Sequence, residues 1–262
     1  DVGTADPRAS GLPQHLRISA EADRAAMQAR FERWDAGMQV SRRWAQRKTQ
    51  LQTLRAAKAA GSVELSPPSF TTTGTKVGLC LLIDFKDDPA TIPQADIVDF
   101  CNADDFTGYG NNGSVKQYFL DNSKNQLTYT NVVTAYIRMA LPKSYYNDTG
   151  ADAGAQANEL IKDALDILKA SPNYETEILP TFSSLTVDEN NQILACNVFY
   201  AGGNGGVWAK GLWPHSYALY RVGPQELEPG GMSVFRYQIT NIGNTLQIGT
   251  FCHENGHMLC GY

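Results

Sequence analysis

Histidine is scarce in this chain: four residues in 262, at positions 15, 215, 253 and 257. Cysteine is absent from the first 79 residues, and the five that follow (Cys80, Cys101, Cys196, Cys252, Cys260) make an odd count. At least one of them therefore stays a thiol or pairs outside the chain, which excludes a complete internal disulfide framework. Cys252 and Cys260 stand eight apart, about 12 Å of rise on a helix, too far for a mutual disulfide. Charged side chains make up only 19% of the chain, and no apolar run is long enough to span a bilayer, so no membrane partner is expected. Asp1 to Ser10 has neither the basic region nor the apolar core of a signal peptide; a chain read after signal removal looks the same. Internal repeats are missing too, which excludes solenoids and propellers.

The acids are unevenly spread. None falls between Asp35 and Glu64, a stretch holding Arg42, Arg43, Arg47, Lys48, Arg55 and Lys58. Residues 1–75 carry a net +4 and residues 76–262 a net −9. A basic helix in a nucleic-acid binder is weakened as a reading by the acidic remainder, and no nucleic-acid partner is expected. Opposed halves instead predict intramolecular docking of the basic segment on the acidic domain.

Three regions follow. Residues 1–60 predict a helical segment: Ser19 as N-cap, then Met27, Phe31, Trp34 and Met38 at 4-3-4 spacing. Residues 61–75 read as a Pro/Thr-rich linker with Pro67-Pro68 and Gly74. Residues 76–262 alternate strand and helix. Val77–Phe85 is apolar on both faces, hence a central strand. Helices are predicted over 92–101, 113–122 and 152–170, and strands over 126–139, 192–200 and 232–240. The pattern predicts an α+β (α/β-like) domain with a mixed twisted sheet.

The chain closes on GTFCHENGHMLCGY, where His253-Glu254-Asn255-Gly256-His257 fits H-E-x-x-H. On a helix the two imidazoles lie on one face and can converge on Zn²⁺, with Glu254 beside the metal as general base. Asn-Gly is also the strongest short hairpin signal, and a hairpin would send the two rings to opposite faces. Helical spacing of Ile248, Cys252 and Leu259, flanked by Phe251 and Met258, with Gly261 at the far end, favours the helix.

Several stretches in order, LCLLIDFKD, GSVKQYFLDNSKNQLTYTNVVTAYI, LWPHSYAL, VFRYQIT and TFCHENGHMLCGY, resemble the immune inhibitor A family of secreted zinc metallopeptidases, a metzincin-like group. The resemblance covers most of residues 76–262, and residues 1–60 resemble a pro-segment only in general character. It implies a metzincin-like sheet with the H-E-x-x-H helix packed on it, a secreted endopeptidase acting on proteins or peptides, and Zn²⁺ on His253 and His257 with Glu254 as base. A third ligand would fall at 263 or 264, past Tyr262, so this chain is expected to bind zinc poorly, as an inactive fragment of an active enzyme. Cys260 as a ligand is disfavoured, because that helical position faces away.

Other groups carry a functional and a structural reading side by side. His215, in Trp213-Pro214-His215, is a metal or substrate group or, preferably, a hydrogen-bonded loop histidine. Tyr237 is an oxyanion donor or a packed strand tyrosine. Asp104-Asp105 with Asn102, Asn111 and Asn112 offers oxygen to Ca²⁺ or forms a solvated turn. Asp35 caps the zinc from the pro-segment or sits on a helix surface. Met232–Thr240 and Thr128–Met139 are the candidate edge strands for an extended substrate. The rival to an enzyme is a non-catalytic secreted binding module that presents the aromatics of Gly202–Tyr220 to glycans.

Overall fold

A computed structural model describes residues 72–260. The pro-segment, most of the linker and Asp35 lie outside the described residues. In chain order the elements are β1 (Gly74–Asp84), α1 (Gln94–Asn102), α2 (Val115–Asn122), β2 (Leu127–Arg138), α3 (Lys143–Tyr146) and α4 (Ala153–Lys169). They are followed by β3 (Cys196–Ala201), β4 (His215–Ala218), β5 (Gln225–Glu226), β6 (Ser233–Val234), β7 (Arg236–Ile242) and α5 (Ile248–Cys260).

The protein is a mixed α+β structure built on a mostly parallel five-stranded sheet of order β2-β1-β3-β7-β4. The first four strands run parallel and β4 runs antiparallel to β7 at one edge. Parallel strands covered on both faces must be apolar on both, and β1 is: Leu79 to Ile83 are all fully buried. Its odd positions Leu79, Leu81 and Ile83 pack with Leu160, Ile161 and Leu165 of α4. Its even positions Cys80 and Leu82 pack on the other face with Phe100, Phe119, Phe251 and Met258 of α1, α2 and α5. Ser114 caps α2 by accepting from the Gln117 N–H at 3.1 Å, and Asp152 caps α4 by accepting from Ala155 N–H at 3.1 Å.

Two strand expectations are corrected. The run 232–240 is not one strand: Ser233–Val234 pairs with Gln225–Glu226, and β7 starts only at Arg236. Nor is β7 an edge, because β4 closes it off; among the described residues the edge beside α5 is β4, which begins at His215, the residue expected in a loop. The other candidate, β2, is an edge, but β1, β3 and β7 separate it from β4. Gly74 and Thr75, assigned to the linker, belong to β1. Among the described residues no helix is long and apolar enough to cross a membrane.

Candidate metal centre

The last helix, α5, runs unbroken through Asn255-Gly256, so the hairpin alternative is excluded. Its buried face is Phe251, Cys252, Asn255, Gly256, Met258 and Leu259. Phe251 anchors it, stacked on Phe199 at 4.8 Å and edge-on to Phe100 at 5.7 Å. Burying a phenyl group of this kind contributes about 1.5–3 kcal/mol. Both ends are tied by distant residues. Asn111 accepts from the Ile248 N–H at 3.1 Å and donates to the Leu246 carbonyl at 2.8 Å. Thr72 donates its hydroxyl to the Leu259 carbonyl near the other end. These contacts satisfy one orphan amide and one orphan carbonyl of a helix that has no local side-chain cap motif in sequence.

The opposite face carries the chemistry. His253 Nε2 and His257 Nε2 lie 3.3 Å apart with their rings at 89°, and Glu254 Oε1 is 4.0 Å from His253 Nε2. One ligand atom from each of the three lies within 4.8 Å of the others, and among the described residues this is the group of three that could hold a metal ion. The donor set fits zinc. Two nitrogens at about 2.0–2.1 Å from a tetrahedral ion are separated by about 3.3 Å, so the rings already stand at the required spacing. The His253 side chain is 67% exposed and that of Glu254 12% exposed. Burial pushes the Glu254 carboxyl above its ordinary value; His253, His257 and the Ser216 backbone amide pull it back down. A carboxylate with raised proton affinity beside two imidazoles suits a proton acceptor.

The site opens on a cleft of about 1140 Å³ walled by β4, the start of α4 and the Trp208–Trp213 loop. Trp208 is 77% exposed and its ring centroid lies 5.0 Å from that of Trp213.

His215 lines this cleft, but both ring nitrogens are engaged: Nδ1 with the Trp213 carbonyl at 2.5 Å and Nε2 with the Tyr237 hydroxyl at 3.0 Å. Desolvation lowers its pKa, so the ring is neutral, with Nδ1–H donating and Nε2 accepting. Tyr237 is fully buried and also accepts from Asn158 Nδ2 at 3.2 Å, which makes it a packed strand tyrosine. Three of the oxygen donors weighed for Ca²⁺ have protein partners. Asp104 pairs with Lys116 at 2.6 Å, Asn102 brackets the Asn131 backbone, and Asn111 holds α5. Cys260 is not part of the His-Glu-His group. Cys80, Cys101, Cys196 and Cys252 are buried thiols.

Fold and centre together define a class: an α+β domain whose last described helix presents a His-Glu-His trio beside an antiparallel edge strand. No model of a known protein family matches the chain, and no curated protein is significantly similar to it.

Proposed function

We propose that this chain belongs to a secreted zinc-dependent endopeptidase, with His253 and His257 as metal ligands and Glu254 as general base. The observation that carries the reading is the 3.3 Å separation of the two Nε2 atoms, with a carboxylate alongside. Secretion and the metzincin-like assignment rest on the sequence resemblance; the antiparallel edge strand over the helix supports the latter.

Zinc, when bound, supplies a Lewis acid that lowers the pKa of a water and polarises the scissile carbonyl. The chain's own residues do the rest. Glu254 accepts the proton of the attacking water on a carboxylate oxygen and passes it to the leaving amine nitrogen. Among the described residues β4 pairs with no strand but β7, so its outer edge gives an extended peptide a strand to pair with beside the helix.

The test is Glu254→Gln beside the parent chain, both given stoichiometric zinc and an unfolded protein substrate. Zinc binding is expected to persist in the variant, with hydrolysis reduced by about 10²–10⁴-fold. Proteolysis by the variant at the parent's own measurable rate refutes the assignment. One observation favours the binding-module reading, the exposed Trp208 in the same cleft, its ring tilted against that of Trp213. Glycan-induced change in tryptophan fluorescence without any Glu254-dependent hydrolysis would select it.

A further inference from the structure

The H-E-x-x-H helix is seated on the sheet by more than apolar packing. Asn255, two residues from each histidine, is fully buried. Its Nδ2 donates to the Phe251 carbonyl at 2.9 Å and its Oδ1 accepts from the Tyr129 hydroxyl of β2 at 2.9 Å. Tyr129 in turn accepts from Asn197 Nδ2 of β3 at 2.8 Å, and the other Asn197 N–H donates to Asn131 Oδ1 at 2.6 Å. Gln238 of β7 donates to Asn197 Oδ1 at 3.2 Å, and the Thr240 hydroxyl donates to Gln238 Oε1 at 2.6 Å. The single hydroxyl proton of Tyr129 is claimed by Asn255, because Asn131 Oδ1 (3.0 Å away) already accepts from Asn197.

This network runs from β2 to β7 across β1, and β1 contributes the absence of a side chain. Gly78 sits opposite Asn131 in register. A Cβ there would fall 2.6 Å from the Tyr129 hydroxyl, 2.8 Å from Asn131 Oδ1 and 3.0 Å from the Ala195 carbonyl. A glycine at a buried position of a central strand weakens that strand and needs a reason; the passage of the network supplies it.

We infer that Tyr129 and Asn255 are positioning residues that set the roll of α5 about its axis, and with it where the two imidazoles and the Glu254 carboxylate meet the cleft. The inference rests on the metal-site reading above. Apolar contacts are non-directional and let a helix roll at small cost, whereas a buried hydrogen bond fixes an angle. Asn255 lies about 200° around the helix from each histidine, so holding it against the sheet turns the histidine face outward. With side-chain tips about 5–6 Å from the axis, a roll of about 10° moves a metal-binding nitrogen by about 1 Å. Displacements of that size are what active sites do not tolerate.

The experiment uses the 262-residue chain and three variants, Tyr129→Phe, Asn255→Leu and Gly78→Ala, with Ile161→Val on the opposite face of the sheet as a destabilised control. Zinc affinity is read by competition with a chromophoric chelator, and the position of α5 against β4 from crystal structures of the metal-free proteins. The network variants are expected to weaken zinc binding by about 10–100-fold, the range for groups that orient metal ligands, and to displace α5 by about 1 Å. Ile161→Val should do neither. Tyr129→Phe removes one oxygen and is the variant to rely on if the others fail to fold. A helix that stays in place, or one that moves while zinc affinity is unchanged, overturns the inference. A parent chain that binds no zinc refutes the metal-site reading instead, and the metal-free crystal structures still decide whether the network sets the helix.

Discussion

The arrangement of His253 and His257 makes zinc-linked stability calculable. The two Nε2 atoms already stand 3.3 Å apart, so no rotamer change opposes coordination and binding should raise the melting temperature by simple mass action. With zinc at a hundredfold its dissociation constant, the linked stabilisation is about 2.7 kcal/mol. For a domain of this size each kcal/mol is worth about 2–4 °C, so the melting temperature should rise by about 5–10 °C. The assay is thermal unfolding of chelator-treated protein across a zinc titration, in parent, His253→Ala, His257→Ala and the double variant. Each single substitution leaves one imidazole on the exposed helix face and should shift the zinc dependence to far higher concentration; the double variant should show none. Calcium should leave the parent unmoved, since the trio offers two imidazole nitrogens and a single carboxylate, a poor set for a hard cation. A zinc-induced rise of equal size in the double variant would refute the geometric argument, because the metal would then be binding elsewhere.

Phe251→Ala removes the ring stacked on Phe199 and edge-on to Phe100 and should cost about 3–5 kcal/mol in urea unfolding; a loss below about 1 kcal/mol would mean that α5 is held mainly by its polar ties. His215 is held neutral in the fold with its pKa lowered, so the stability it confers is complete above the unfolded value of about 6.5 and is lost as pH falls from there through the lower folded value. The melting-temperature gap between parent and His215→Gln should therefore narrow between pH 7.5 and pH 5, and a gap independent of pH would count against a ring that the fold holds neutral. Iodoacetamide at pH 8 should modify Cys260, which is partly exposed, before Cys80, Cys196 and Cys252, whose thiols burial pushes up; mass spectrometry of the native and denatured protein reads the order.

Where sequence pattern has a single structural meaning, it located the elements well. The continuous apolar run of β1 could only be a strand buried on both faces, and the predicted 152–170 helix is found at Ala153–Lys169 because its leucine and alanine positions share one stripe. Pattern failed where a strand is short and its side chains are mixed. His215–Ala218 is four residues long, carries partly buried and exposed positions, and follows a run of glycines, so nothing in it distinguished an edge strand from a loop. Likewise Met232–Thr240 is apolar enough for one strand, but pairing with two different partners on either side of Phe235 splits it.

The centre was legible for a different reason from the one that makes it work. Spacing alone locates His253, Glu254 and His257, since i and i+4 on a helix must share a face. The same stretch contains Asn255-Gly256, which local propensity assigns to a turn, and propensity is overridden here by burial: Asn255 is not exposed at a turn tip but inserted under the helix, with every polar atom of its amide engaged. The partners it needs, Tyr129, Asn197 and Gln238, come from three strands up to 126 residues away in sequence, each of which reads locally as an unremarkable polar interruption of a β pattern. Two asparagines, a glutamine and a glycine inside a parallel sheet should weaken it; that they stand together on the face carrying the H-E-x-x-H helix, and are nearly all hydrogen-bonded, is what separates a device for aiming that helix from a flaw in the core.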